Sequence, residues 1–330
     1  MQTVGELGEF GLIDRLTKLL PTSALVVEGI GDDCAVLRMH DRILLVSTDL
    51  CLEDIHFRRD TLAPGQIGWK AAAASLSDIA AMGSIPLFSL VSLACPGNVK
   101  VSYIEELYRG MSNALSSFGA IIVGGDTTRS EQKIVIDVMI IGEPLGNRFL
   151  RRRGAIPGDL LAITGSTGAS AAGLHAIQHG HAEPALVHAH ATPHPRIAEG
   201  QWLCARPAIH AMIDISDGLA QDARHIANAS GLGVNIAAAR LPLIDPLAQY
   251  CAENRLDPLP FMLSGGEDYE LAFALSPSDA NETMNAFASE FTTPVTIVGE
   301  FTDEWTGGRL DGAPSALTGF DHFKTPSCPD

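Results

Sequence analysis

Strand-like apolar runs alternate along this chain with alanine- and glycine-rich segments of helical spacing, and the alternation stops once and then restarts. The interruption contains two stretches rich in proline and glycine, at residues 142–147 and 154–159. Alternating strand and helix signals are typical of α/β proteins, and a chain of 330 residues accommodates about two domains. We therefore predict an α/β fold with some α+β character, with domains at residues 1–145 and 146–330.

The charge of the chain argues against several classes of function. A formal net charge of −17 disfavours general binding to nucleic acid or to an anionic membrane, because both need a basic surface. No apolar run approaches the roughly 18 residues of a membrane span, and the N-terminus lacks the regions of a signal peptide. Six widely spaced cysteines without a C-x-x-C pair predict reduced thiols. We expect a cytoplasmic protein without nucleic-acid or membrane partners.

The first part of the chain gives two specific structural expectations. Residues 5–20 have helical apolar spacing and predict one amphipathic surface helix. Residues 35–50 contain two strand-like runs around a polar turn, and the second run ends in Ser47, Thr48 and Asp49. Polar groups at the end of a buried strand are a frequent place for chemistry.

Three further segments carry expectations about the site. Residues 66–82 form an alanine-rich helix in which Asp78 interrupts a small and apolar stretch. Residues 120–128 are expected to pass from a strand into a glycine turn. Later in the chain a strand leads into an acidic loop, and Asp214 or Ser216 is expected to cap the next helix.

Aspartates in the first half lie in four small-residue settings, namely GIGDDCA, STDLCLEDIHF, SLSDIAAMG and GGDTTRS. Each aspartate taken alone is also consistent with ordinary turn or cap chemistry. Asp78 differs, because an ionised carboxylate in a buried helix costs several kcal/mol unless a metal or hydrogen-bond partner meets it. Magnesium takes carboxylate ligands and leaves positions to water and substrate phosphates, so the aspartates together favour a magnesium site.

Common nucleotide-binding motifs are missing from the sequence. There is no G-x-x-x-x-G-K-[ST] loop, no dinucleotide fingerprint and no protein-kinase H-R-D signature. If the chain uses ATP, it binds the nucleotide by another route.

Eight motifs occur in a fixed order, GIGDD, STD with HF, LSD with AAMG, GGDTTR, R-GA-PGD, TG-x-G-x-SAAGL, D-SDGL and SGGEDYEL. In this order the chain resembles bacterial thiamine-monophosphate kinases, within the superfamily of aminoimidazole ribonucleotide synthetase and selenide–water dikinase. The resemblance extends from about Gly8 to Phe323, which is nearly the whole chain. The GGDT and D-SDG motifs are shared across the superfamily, whereas the STD…HF and SGGEDYEL motifs point to the thiamine branch.

The resemblance implies an aminoimidazole ribonucleotide synthetase-like fold of two α/β domains, with the N-terminal domain forming the core of a homodimer. It implies that ATP lies where a domain meets its dimer partner. The implied activity is ATP-dependent phosphorylation of thiamine monophosphate to thiamine diphosphate, the last step of thiamine diphosphate synthesis, with several Mg²⁺ ions and direct in-line transfer of the phosphoryl group.

The resemblance also implies roles for individual residues, carried over motif by motif. Those implied to hold the magnesium ions are Asp33, Ser47, Thr48, Asp49, Asp78, Asp126, Asp214 and Asp217. Of these, the ones implied to be catalytic as well are Asp49, Asp126 and Asp217. The ATP contacts implied are Gly125, Asp126, Arg152 and Ser216. The implied contacts to thiamine monophosphate are His56, Glu267 and Phe320.

Some features lie outside this pattern. Glu53 and Asp54 receive no role. A histidine-rich patch at residues 175–194 includes His175 and His179, an i, i+4 pair that could bind a transition metal, although a solvated helix and loop is the preferred interpretation.

Two other functions are considered. A selenophosphate-forming enzyme would need a reactive cysteine in an early glycine-rich loop, and the segment GELGEFGL contains none. A ring-closing synthetase of the same superfamily is the other enzyme alternative. A non-catalytic nucleotide-binding protein of the same fold is disfavoured, because such a homologue should have lost some of the aspartates.

Overall fold

The computed structural model describes residues 2–146, 148–181, 183–314, 319–320 and 322–323. In the first half the helices are α1 (Val4–Leu7), α2 (Glu9–Thr17), α3 (Pro64–Ala81) and α4 (Val101–Ser117). The strands are β1 (Val26–Glu28), β2 (Ala35–Met39), β3 (Arg42–Leu52), β4 (Ser84–Cys95), β5 (Ile121–Arg129) and β6 (Val135–Pro144).

The first six strands form one sheet in the order β1-β2-β3-β6-β4-β5. Helices α3 and α4 pack against each other, and α3 covers one face of the sheet. Side chains alternate between the two faces along each strand, so that in β6 Ile136, Val138 and Ile140 are buried in the core. The opposite face, called here the open face, carries large exposed apolar side chains such as Leu50 and Phe88. Strand β5 lies at the edge of this sheet.

The second half begins a new sheet. Its helices are α5 (Ala169–Gln178), α6 (Pro184–Ala191), α7 (Ile197–Cys204), α8 (Leu219–Ser230), α9 (Asp245–Asn254), α10 (Pro258–Ser264) and α11 (Ala280–Glu290). Its strands are β7 (Leu160–Thr164), β8 (Ile209–Asp214), β9 (Gly233–Ile236), β10 (Leu271–Leu275), β11 (Val295–Thr302), β12 (Gly307–Leu310) and β13 (Ala313–Pro314). The strand order is β13-β12-β9-β11-β7-β10-β8. A short 3-10 helix, Ala238–Arg240, precedes α9.

Helix α3 connects the two halves. Besides β3, β4 and β6 it contacts α7 and β8 of the second half. One hydrophobic cluster accordingly includes Leu76 and Val138 together with Met212 and Phe273. Because the core is shared in this way, the domain boundary near residue 145 stays a prediction.

Three local expectations from the sequence are wrong. The N-terminal segment forms two helices rather than one, because the chain bends at Gly8 with φ of 76°. Strand β3 continues to Leu52, so Ser47 and Asp49 lie inside the strand and not at its end. The GGDTT segment is part of strand β5 rather than a turn.

The cap of α8 also differs from the expectation. Its N-cap residue is Gly218, which has no side chain that could cap the helix. Instead Asp222, in the first turn of the helix, accepts hydrogen bonds from the backbone N–H groups of Asp217 and Gly218 at 3.2 and 3.0 Å. The loop before α8 is therefore held by a carboxylate that follows it in the sequence.

Two expectations, on membrane-spanning segments and on the cysteines, can be compared directly with the structure. Within the described ranges, no helix combines the length and the apolar character needed to cross a bilayer. Five cysteines fall in these ranges and all are free thiols, whereas Cys328 lies outside them.

Candidate active site

Three buried or half-buried carboxylates meet between the two halves of the chain. The carboxylates of Asp33, Asp78 and Asp214 can each bring one oxygen within 4.8 Å of the others. They come from the loop before β2, from α3 and from the end of β8. Asp49 on β3 lies beside them, close enough for its charge to raise the pKa of Asp78. We call these four residues the acidic cluster.

Hydroxyl groups fix the geometry of the acidic cluster. Ser47 on β3 donates a hydrogen bond to Asp78 Oδ2. Ser77 on α3 donates to Asp214 Oδ2 at 2.7 Å. These neutral donors orient the carboxylates but bring no positive charge to them.

The electrostatics of the acidic cluster call for a cation. Burial, reinforced by the neighbouring Asp33 charge, raises the pKa of Asp214 to about 8. Burial also raises the pKa of Asp78 well above its ordinary value, with the charges of Asp49, Asp214 and Asp33 adding to the effect. Such carboxylates ionise fully at neutral pH only when positive charge is supplied.

Two oxygen atoms of the acidic cluster are available for a metal. Among the described residues, Asp33 Oδ2 and Asp49 Oδ2 are buried and have no hydrogen-bond partner. The donors around them are carboxylate and hydroxyl oxygens, which are the ligands that Mg²⁺ takes in proteins. The residues present therefore fit Mg²⁺.

Arg152 lies against the acidic cluster. Its guanidinium donates to Asp33 Oδ1 at 2.9 Å through Nε and 2.6 Å through Nη2, and its backbone N–H donates to Asp32. The pKa of Asp32 rises to about 7, first through burial and then through the charge of Asp33. The sequence reasoning gave no role to Asp32, although its position next to Asp33 signals its closeness to the site.

A second group of possible ligands surrounds Asp217. Asp217, Asp222 and His225 can each place one ligand atom within 4.8 Å of the other two. Burial is the main reason that the pKa of His225 falls to about 4, with Arg152 and Arg224 adding to the effect. A neutral His225 adds no positive charge to this group. The structure thus places Asp217 and Asp214 in different groups of possible ligands, and the resemblance implied only that both hold some of the several magnesium ions.

Glu267 lies in a third part of the site, and a buried lysine lies beneath it. Lys70 Nζ on α3 donates to Glu267 Oε2 at 2.8 Å. His190 on α6 lies 3.3 Å from the same ammonium. The backbone N–H of Glu267 donates to the carbonyl of Ser216 at 2.8 Å, which ties this loop to the one that follows β8.

His56 and Phe320 approach each other through an intervening ring. The centroid of His322 lies 4.9 Å from that of His56 and 4.8 Å from that of Phe320. His56 Nδ1 accepts a hydrogen bond from the Leu52 N–H at 3.0 Å, so the proton of the neutral imidazole lies on Nε2. The pKa of His56 is lowered, mainly by burial, which keeps the ring neutral at pH 7.

Thr48, Gly125 and Asp126 do not join the acidic cluster. Thr48 points to the open face and donates to Asp137 at 2.5 Å. Asp126 lies on β5, three strands from β3, which is about 14 Å at the usual strand spacing. It is exposed and accepts a hydrogen bond from its neighbour's backbone N–H.

Gly125 has a structural explanation on β5. Its φ is 149°, and a Cβ there would lie 1.8 Å from the carbonyl oxygen of Val91 on β4. Only glycine fits so close to the neighbouring strand. The resemblance implied that Gly125 contacts ATP, and the fold alone already requires a glycine at this position.

The histidine-rich patch is not one solvated surface. The rings of His175 and His179 stack with centroids 3.9 Å apart, and their Nδ1 atoms bond to Tyr250 and to the His175 carbonyl. Within the described ranges, His175 and His179 belong to neither of the two groups of side chains whose ligand atoms lie close enough together to hold a metal ion. His190 from the same patch is buried beside Lys70, so the interpretation of a solvated helix was wrong there.

Several residues of the site were missed from the sequence, namely Lys70, His190, Asp222, His225 and His322. Lys70 lies in the same alanine-rich helix as Asp78, so the argument that singled out a buried charge applied to it equally. No local signal marks His190, because its partner Lys70 is 120 positions away, and His322 lies beside the predicted contact Phe320 but meets His56 only through the fold.

The chain matches two domains in comparisons with protein families. Residues 31–143 match the family described as AIR synthase related protein, N-terminal domain, and residues 157–311 match its C-terminal domain. Thiamine-monophosphate kinase of Aquifex aeolicus is 36% identical over 323 residues, which cover 96% of this chain and 99% of the relative. The Escherichia coli K12 enzyme is 38% identical over 331 residues, with 97% and 99% covered.

The chain belongs to the thiamine-monophosphate kinase family. A solved structure described as "AaThiL complexed with AMPPCP and TMP" superposes with a TM-score of 0.87 at 36% identity, covering 98% of this chain and 99% of that one. Two expectations from the sequence are therefore confirmed, namely the resemblance of the chain to the thiamine-monophosphate kinase family and its two-domain α/β fold class.

Proposed function

We propose that this chain transfers the γ-phosphoryl group of ATP to thiamine monophosphate, giving thiamine diphosphate and ADP. The observation that carries the proposal is the acidic cluster, in which carboxylates with unpartnered buried oxygens face one another. Support comes from the solved relative, which is described as a complex with AMPPCP and TMP. The cytoplasmic location expected from the sequence stays a prediction.

The acidic cluster would hold Mg²⁺ through Asp33, Asp49, Asp78 and Asp214, with Ser47 orienting Asp78. When bound, Mg²⁺ neutralises the oxygens of two phosphate groups that would otherwise repel each other. Asp217 would contribute to a separate position with Asp222. That several ions bind is also part of the proposal. It is supported by the presence of two separate groups of possible ligands.

Arg152 and the loop after β8 would position the nucleotide. The guanidinium now bound to Asp33 can turn its remaining N–H donors to a phosphate, a geometry that arginine matches well. Ser216 lies in the loop that also carries Asp217. These residues would align the donor phosphate with the acceptor phosphate for direct transfer.

We also propose that the active unit is a homodimer that uses the open face and β5. Ile121 and Val123 on β5, together with Phe88 and Leu50, are exposed apolar side chains on or beside the open face. Exposed apolar strands at a sheet edge favour association with another chain. Such pairing would let Gly125 and Asp126 of a second copy complete the nucleotide site, since within one copy they lie far from Asp49.

Thiamine monophosphate would bind between His56, Glu267 and Phe320. The tautomer of His56 places the proton on Nε2, and this N–H donor suits the substrate phosphate. Glu267 suits the amine or the cationic ring of thiamine, and the flat face of Phe320 suits a cationic heterocycle.

A coupled assay of ADP release tests the function. Thiamine monophosphate should support magnesium-dependent ADP release, whereas thiamine and hydroxymethylpyrimidine phosphate should not. Equal activity on unphosphorylated thiamine would make this chain a thiamine kinase or pyrophosphokinase and would overturn the proposal.

A further inference from the structure

Lys70 is almost completely buried and forms an ion pair with the carboxylate of Glu267. Its side chain is 5% exposed, and its ammonium lies 2.8 Å from Glu267 Oε2, whose side chain is 28% exposed. A buried ammonium is stable only when a negative charge compensates it. Lys70 and Glu267 therefore act as one ion pair, with Lys70 below and Glu267 at the surface of the site.

The other groups around Lys70 add no charge. His190 lies 3.3 Å from the ammonium, and burial followed by the Lys70 charge lowers the pKa of His190 to about 4. Ser170 Oγ lies 3.2 Å from His190 Nδ1 and completes a neutral hydrogen-bonded surrounding. His56 is a further titratable neighbour of Glu267, and its lowered pKa keeps it neutral. The charge of Glu267 also acts on Cys51, Asp268 and Tyr269, and burial raises the pKa of all three, which keeps them protonated and uncharged at neutral pH. Glu267 thus supplies the compensating negative charge for Lys70.

Glu267 is held at both its backbone and its side chain. It adopts φ of 63°, which a non-glycine residue rarely takes, and its N–H is fixed by the Ser216 carbonyl. Its Oε2 is occupied by Lys70. This leaves Oε1 as the oxygen that can accept a hydrogen bond on the exposed side of the pair.

We propose that Lys70 is a positioning residue that determines substrate specificity, because it occupies Glu267 Oε2 and thereby directs Oε1 at an N–H donor of the substrate's organic part. This rests on the proposed function, in which Glu267 faces thiamine monophosphate. The donor that matches a carboxylate oxygen is the exocyclic amine of the aminopyrimidine ring. Recognition then depends on the direction of one oxygen, and the net charge of the pair is zero.

Helix α3 links this recognition to the phosphates. Lys70 and Asp78 are eight residues apart on the same helix, which corresponds to about 12 Å along its axis. One rigid element therefore places the recognition of the organic part at a fixed distance from the acidic cluster. A change at Lys70 should affect substrate affinity while Asp78 stays in place.

Two substrates and three variants test the proposal. Lys70→Met should raise KM for thiamine monophosphate at least tenfold, while kcat and KM for ATP change less than about threefold. The decisive readout is an analogue of thiamine monophosphate that lacks the pyrimidine amine. The wild type should bind it at least tenfold more weakly than the normal substrate, and Lys70→Met should treat both substrates alike. Lys18→Met, which breaks the exposed pair with Asp14, is the matched control and should change nothing.

If Lys70→Met does not fold, the double variant Lys70→Met, Glu267→Gln is used in its place, because it removes both charges of the pair. The double variant should show the same loss of discrimination between the two substrates. A wild type that releases no ADP with thiamine monophosphate would refute the proposed function and this inference with it. An active wild type whose Lys70 variants keep normal KM and discrimination would refute the inference alone.

Discussion

Ser77 donates a hydrogen bond to Asp214 across 2.7 Å and so joins helix α3 of the first half to strand β8 of the second. The bond favours the ionised form of Asp214, but burial outweighs it and leaves the pKa at about 8. The two halves are thus held together at a point where several carboxyl groups crowd together. Stability and metal binding should be linked there.

Above about pH 6.5 the metal-free protein should lose stability as the pH rises to about 8. Below that pH the lowered pKa values of His190 and His225, about 4 against 6.5 when unfolded, act in the opposite direction. Asp214 has its pKa raised from 3.8 to about 8 by folding, so the folded state binds more protons than the unfolded state in this window. The contribution of Asp214 to stability is therefore greatest below the lower value and is lost as pH rises through the upper one. Unfolding temperatures measured in chelator at pH 6.5, 7, 7.5 and 8 check this.

Magnesium should reverse that loss, with a larger rise in unfolding temperature at pH 8 than at pH 6. At the higher pH the cation compensates carboxylates that are already ionised, and it has fewer protons to displace. An equal rise at both pH values would mean that Asp214 does not take part in binding.

Asp78→Asn should reduce turnover at least about a hundredfold, the scale for losing a preorganised electrostatic contact to a transferring phosphate. Because burial and the neighbouring carboxylates raise the pKa of Asp78, its ionisation destabilises the metal-free wild type, and the metal-free variant should lose less stability as pH rises. Steady-state kinetics and thermal unfolding measure the two effects. Asp41→Asn, in the turn between β2 and β3, is the control. Near-normal turnover in a folded Asp78→Asn protein would remove Asp78 from the site.

Val123→Lys should convert a dimer to monomers and raise KM for ATP at least tenfold. Val123 is 53% exposed on the edge strand, and a lysine there opposes pairing with another strand. Sedimentation velocity gives the oligomeric state. Val101→Lys, at the start of α4 and 73% exposed, is a matched control. A monomeric Val123→Lys protein with unchanged KM for ATP would show that a second copy contributes nothing to the nucleotide site.

Transfer should proceed without a phosphorylated enzyme. The aspartates of the acidic cluster are assigned to metal, and His56 already accepts a backbone hydrogen bond through Nδ1. Mixing the protein with γ-labelled ATP and Mg²⁺, followed by a denaturing quench, should leave it unlabelled. In a parallel sample that receives thiamine monophosphate before the quench, the label should appear in thiamine diphosphate. If the protein instead acquired about one labelled phosphate per molecule and then passed it to added substrate, His56 or an aspartate would be restored as the nucleophile.

The sequence by itself determined the family, the mixed α/β class and the presence of a carboxylate site. The motif order is local information, and Asp78 is conspicuous because a charge interrupts a buried helical face. The twofold period of a strand also implies that Thr48 and Asp49 face opposite sides of the sheet, although only the structure showed which side α3 covers.

Only the tertiary structure decided which groups meet. Lys70 and Glu267 are separated by 197 positions, and no local pattern pairs them. The division of the aspartates between two groups of ligands, and the place of Asp126 on an edge strand, likewise follow from the way the sheets are assembled. Helical and strand periodicity fixes which face a side chain occupies, but the contact between two faces depends on long-range packing, which spacing along the chain does not encode.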